Sequence, residues 1–182
     1  MNIIIDKLPT EYEGLRLNTG FRSSILFELL MQDKELTKDE QIAGAIEIMI
    51  ENTTEAYKDI PKALNCITKF YTMGKKPKES IPSKKSNNEK LYDYEEDADL
   101  IYSAFMKDYK IDLQDIEMHW WKFKSLFNGL DENNQFCKIM GYRSVNLNKI
   151  KDKEQKAFYT KMKKQYSLKN ENKAENIGDI FW

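Results

Sequence analysis

His119 is the chain's only histidine, and it sits in the run MHWWKFKSLFNGL (residues 118–130) with two of the three tryptophans. A histidine titrating near neutral pH can act as a general base, a proton shuttle or a metal ligand. On a helical wheel of about 100° per residue, Leu126, Leu130, Phe123, Phe127 and Trp120 all fall within about 100° of it. His119 thus lies inside an apolar stripe, with no polar partner on its own helix, and reads as a packing residue. Trp121 falls at about 200° on the same wheel, beside Ser125 and Asn128, on the face that should meet water. An indole there is either covered by another helix of the chain, the commoner case, or anchors a partner. With Lys124 and Asn128 it forms the candidate partner-binding group.

The carboxylates Asp93, Glu95, Glu96, Asp97 and Asp99 could hold Mg²⁺ or Ca²⁺. No second acidic motif completes a two-metal site, and no twelve-residue calcium loop is present. Carboxylates crowded at a helix start are better explained by the positive end of the helix dipole. Cys66 and Cys137 stand 71 residues apart with no Cys-x-x-Cys pair. Cysteine and histidine together number three, short of the four ligands of a structural zinc site. The two cysteines read as buried, reduced thiols. Seven scattered glycines form neither a dinucleotide fingerprint nor a phosphate loop, and no Gly-x-Ser-x-Gly elbow supplies a nucleophile. The sequence therefore reads as that of a non-enzyme without metal or cofactor.

The remaining chemistry is cationic. Lys153, Lys156, Lys161, Lys163 and Lys164 make a candidate basic patch around an aromatic stripe of Phe158, Tyr159 and Tyr166. Such a patch can neutralise phosphates. It is almost entirely lysine, whereas bidentate base reading uses arginine. A small helical nucleic-acid-binding regulator is thus the disfavoured alternative, and a solvated face or a protein contact is preferred. Charge runs in blocks: residues 1–73 carry 8 bases and 12 acids (net −4), 74–90 carry 6 and 2 (+4), 91–133 carry 4 and 11 (−7), and 134–182 carry 11 and 5 (+6). Such blocks favour steered contact, either between copies as a homo-oligomer or with a charged partner.

The elements that must position these groups are mostly helices. NIIIDKL and EYEGLRLN, with a turn at Gly14, suggest a small N-terminal β-hairpin. Helical spacing then links Phe21, Ile25, Leu26, Leu29 and Leu30. Thr37 with Glu40 makes a capping box ahead of Ile42, Ala45, Ile46, Met49 and Ile50. Asp59 and Pro61 open a helix that Gly74 stops. Leu100, Ile101, Ala104 and Phe105 form the next stripe. Asp152 and Gln155 suggest a cap for a last helix, on which Phe158, Met162 and Tyr166 recur. The expected fold is mainly α: about six helices in two halves, 1–73 and 91–168. A flexible Lys/Pro/Ser linker at 74–90 joins them, and a polar tail follows at 169–182. Apolar runs are too short to span a membrane, and the N-terminus lacks the features of a signal peptide.

In the second half, YDYEEDADLIYSAFMKDYKIDL, HWWKFKSLFNGL and KIMGYRSVNLNKIKDKEQKAFYTKMKKQYSL resemble the bacteriophage gene-product-fifteen family, and NTGFRSSILFELLMQD fits its opening. These are small proteins from the tail modules of long-tailed phages of Gram-positive bacteria. The resemblance covers roughly residues 1–168 and is dense from about 91 to 168. It implies a morphogenesis protein, a tail assembly chaperone that keeps the long tape measure protein soluble while tail tube subunits polymerise around it. It also implies work in the host bacterial cytoplasm and absence from the mature virion. The family supplies no catalytic residues to carry over.

Overall fold

The computed structural model of the chain describes residues 2–75 and 90–169. The linker expected at 74–90 falls on residues 76–89, and the polar tail on 170–182, both outside the described residues. Among the described residues the chain is mainly helical, with eight α-helices and one two-stranded hairpin. They divide into two compact units, 2–75 with 117–128, and 90–116 with 129–169.

The first unit opens on the antiparallel hairpin of β1 (Glu11–Tyr12) and β2 (Leu15–Arg16). Its two-residue loop needs left-handed backbone at both positions, and Glu13 (φ 52°) and Gly14 (φ 82°) supply it. The isoleucines of NIIID are not a strand: Asn2 and Asp6 close a single turn that leaves Ile4 and Ile5 exposed.

Helix α1 (Phe21–Gln32) is apolar nearly all round, so spacing alone cannot choose its inner face. The buried set is Phe21, Ser24, Phe27, Glu28 and Met31 rather than the Ile25/Leu26 side, and Leu26 is exposed. Glu28 can lie inside because Tyr71 donates to its carboxylate, as does Gln32. Helix α2 (Lys38–Met49) begins with the expected capping box. The Glu40 amide donates to the Thr37 hydroxyl at 3.3 Å, and the Thr37 amide to the Glu40 carboxylate at 2.8 Å. Leu30 of α1 lies over Gly44 of α2, where any side chain would meet its methyl groups at 2.9 Å. After a single turn, α3 (Thr53–Ala56), helix α4 (Ile60–Tyr71) starts with Asp59 accepting from the Lys62 amide and Pro61 in the first turn. It ends at Tyr71, and the chain leaves it through left-handed backbone at Met73 (φ 60°) and the expected Gly74 (φ 70°).

The second unit holds α5 (Ala98–Tyr109), α7 (Gln135–Ser144) and α8 (Lys153–Gln165). Ile101, Ala104 and Phe105 are buried on α5 as the spacing predicts, and α5 packs on α7, whose Phe136 and Ile139 are buried too. Asp108 fastens the loop before α7, accepting from the Asp131 amide at 2.8 Å and from Asn134 at 3.0 Å. Asn134 in turn caps α7 through the Cys137 amide.

Helix α6 (Trp120–Asn128) lies within the sequence of the second half yet folds into the first unit. Short backbone pairing holds it there. The Trp120 amide donates to the Thr19 carbonyl at 2.7 Å, and the Phe21 amide to the Met118 carbonyl at 2.9 Å. Trp120 is fully buried, stacked on Tyr71 and Phe123, and its Nε1–H donates to the Tyr71 carbonyl. Phe123 stacks on Phe21 at 4.9 Å.

Candidate partner-binding surfaces

His119 sits just before the first residue of α6. Its Nδ1 accepts from the Trp121 amide at 3.1 Å, and its Nε2 lies 3.0 Å from the Pro9 carbonyl. A carbonyl only accepts and an amide N–H only donates, so the partners fix one neutral tautomer, with the proton on Nε2. The ring satisfies one free N–H of the first helical turn and ties the N-terminal segment to α6. Burial holds its pKa below the ordinary value, the Pro9 bond opposes this and the Lys122 charge adds to it. The side chain is therefore a structural cap. Its neutral form is favoured by folding, so its contribution is complete above the unfolded value, about 6.5, and is lost as pH falls through the lower folded value. His119→Ala is expected to destabilise by about 1–2 kcal/mol at pH 7.5, the range of a lost N-cap. His119→Asn should retain the cap and lose the histidine's share of the decline below pH 6.5. Denaturant midpoints at two pH values check this, and equal pH profiles for wild type and His119→Asn would contradict it.

Trp121 is not on the surface. It is 4% exposed, its Nε1–H donates to the Phe70 carbonyl at 2.8 Å, and its ring stacks on Phe70. The wheel assumes one buried wall, but α6 has two. Phe21 of α1 faces Phe123, while Phe70 at the end of α4 covers the flank bearing Trp121. Lys124 reaches over the rings of Trp120 and Phe127, its Nζ 5.2 Å from each ring centre. Asn128 is exposed at the helix end. The three candidates do not form a common partner face.

The acidic helix start is sorted by burial. Asp97 is buried and makes a two-pronged ion pair with Arg143, at 2.6 and 2.9 Å. Arg143 also donates to the carbonyls of Tyr166 and Leu91, so one guanidinium joins the start of α5, α7 and the end of α8. Asp93 pairs with Lys90 and accepts from the Glu95 and Glu96 amides. Burial alone would raise its pKa, but Lys90 and the two amides outweigh it and hold the carboxylate below its ordinary range. Glu95, Glu96 and Asp99 are exposed. Among the described residues no group of three or more His, Cys, Asp or Glu side chains is arranged to hold a metal ion. Both thiols are free. Burial is the main influence raising the pKa of each, and Cys66 lies in the core while Cys137 is half-buried.

Sequence reasoning missed Arg143. The signal available was its rarity, since the chain has only three arginines against many lysines, and an arginine at the end of a packed helix suits a multi-point anchor.

Helix α8 departs most from expectation. Asp152 caps it through the Gln155 amide at 2.7 Å, as the sequence suggests. However, no residue of the helix is buried, and Phe158 is 49% exposed. The stripe of Phe158, Tyr159 and Tyr166 meets Tyr142 of α7 edge to face, tilted and stacked in turn, without becoming buried. Lys153, Lys156, Lys161 and Lys164 are exposed, and Lys163 is half-buried with its Nζ 3.5 Å from the Val145 carbonyl. Among the described residues nothing covers the outer face of α8.

The family model described as Bacteriophage Gp15 protein matches residues 4–168. The chain belongs to this family. The matched span takes in both units, the Trp-rich helix and all of α8 in this Gp15 protein, ending at the buried Leu168. No curated protein and no solved structure matches it. No helix among its described residues is long and apolar enough to cross a membrane.

Proposed function

We propose that this Gp15 protein is a tail assembly chaperone that binds the tape measure protein and holds it for assembly with the tail tube. It works by binding rather than catalysis, in the host cytoplasm, and does not remain in the mature virion. The observation that carries this reading is α8, an ordered helix of 13 residues with none buried. Helical stability in proteins comes chiefly from packing of a face, so a capped helix this exposed is built to be covered. A helical client laid along it would bury Phe158 and the rims of Tyr159 and Tyr166, while the lysines select for acidic residues on the client.

Co-expression with the long helical protein encoded in the same tail module tests the reading. The tape measure protein is expected to move from the insoluble to the soluble fraction and to co-purify with the chain. An unchanged insoluble fraction would argue against the role.

The lysine face also suits a phosphate backbone, which makes nucleic-acid binding the competing reading. One feature weakens it: Arg143, the one arginine of the second unit, is committed to Asp97 and two carbonyls. Titration with random duplex DNA separates the two, because phosphate neutralisation by several lysines gives an affinity falling steeply with salt. No binding is expected at about 150 mM salt, near physiological ionic strength.

A further inference from the structure

The outer face of α8 and the start of α5 carry opposite charges that nothing in the described chain neutralises. Lys153, Lys156, Lys161 and Lys164 share an arc of about 140° on the helix, with the small Ala157 and Thr160 between them. All four lysines are exposed, and none has an ion-pair partner among the described residues. Glu95 and Asp99 are four residues apart, exposed and equally without a cation. Their neighbours Asp93 and Asp97 are turned inward to Lys90 and Arg143. The C-terminal end of α8 reaches the start of α5 within one unit. The Lys169 amide, just past α8, donates to Glu96 at 3.0 and 3.1 Å, and Arg143 holds both Asp97 and the Tyr166 carbonyl.

We propose that these patches are the two halves of a self-complementary interface, in which the lysine face of α8 in one copy docks on Glu95 and Asp99 of a second, and reciprocally. Two-fold pairing brings residue i against j and j against i, so a unit bearing both signs satisfies both contacts at once. Charge complementarity selects a second copy as the occupant, because the chain itself presents the carboxylates at helical spacing. Ala157 and Thr160 allow close approach of the facing element. Exposed ion pairs steer association and are screened by salt, so the dimer is salt-sensitive. The inference concerns the chain alone and does not depend on the identity of its client. A client that takes the same face displaces the second copy.

Sedimentation of the full chain tests it. A dimer is expected at about 50 mM salt and a monomer at about 500 mM, where the screening length is several-fold shorter than at low salt. The variants K153E/K156E/K164E and E95K/D99K should each be monomeric at low salt. Their equimolar mixture should restore the dimer, because only the mixed pair places opposite charges at both contacts. A monomeric wild type at low salt, a dimer surviving in both variants, or a mixture that stays monomeric would each overturn the proposal. Duplex DNA bound through the α8 lysines by a chain that remains monomeric would also overturn it, and would assign the face to a polyanion. Should either variant lose its helical circular dichroism, the salt titration of the wild type decides alone.

Discussion

Trp121→Ala is expected to lower the unfolding free energy by about 3–5 kcal/mol, the range for truncating a buried aromatic ring. The indole fills the flank between α6 and α4, stacks on Phe70 and donates to the Phe70 carbonyl. Alanine leaves a cavity there and removes the indole donor from the Phe70 carbonyl, which keeps the Met73 amide, so transfer and cavity losses dominate and a hydrogen bond is lost besides. Trp121→Phe keeps most of the stacking and loses the donor, so a cost of about 1–2 kcal/mol is expected. For a chain of this size the alanine variant should melt about 10 °C or more below wild type. Client capture per folded molecule should not change, because the ring touches no free surface. An unaltered melting temperature with weakened capture would return Trp121 to a partner site.

Arg143→Met should cost about 3–5 kcal/mol, as expected when one member of a buried ion pair is removed and the other is stranded. Three acceptors each lose a donor together: Asp97, the Leu91 carbonyl and the Tyr166 carbonyl. The diagnostic is the double variant Arg143→Met/Asp97→Asn. Removing the stranded charge should recover a substantial part of the loss, because the pair's desolvation cost disappears with it. Recovery stays incomplete, since Asp97 also accepts from the Asp93 amide. Denaturant unfolding followed by far-ultraviolet circular dichroism measures all three proteins. Additive costs in the double variant would show that the two side chains do not work as a pair.

Local chemistry made much of this fold legible. The Thr37–Glu40 box, the Asp59–Pro61 start, the Gly14 turn and the Asp152 cap each act within four residues, and each is present in the structure. What could not be read depends on partners distant in sequence. The inner face of α1 was hidden because its residues are apolar on every side, and Glu28 is inside only because Tyr71 meets it, 43 residues away. The wheel turns Trp121 toward water because periodicity reveals one buried wall and α6 has two; α4 covers it, the commoner of the two cases, and the partner-site reading does not hold. The placement of α6 among helices α1 and α4 rests on bridges between residues about 100 positions apart, which composition cannot report. The basic patch was legible as a patch. That the aromatic stripe behind it stays open became apparent only from packing, since the spacing of Phe158, Met162 and Tyr166 predicts a buried face.

The most direct measurement is capture of the tape measure protein by the α8 variant K153E/K156E/K164E, co-expressed and compared with wild type for soluble client recovered per mole of chain. If α8 is the working surface, recovery should fall by about tenfold or more, as reversed charges at a contact repel the client they once steered, while the variant's own helical spectrum stays intact. Recovery equal to wild type would contradict the assignment of α8 as the client surface.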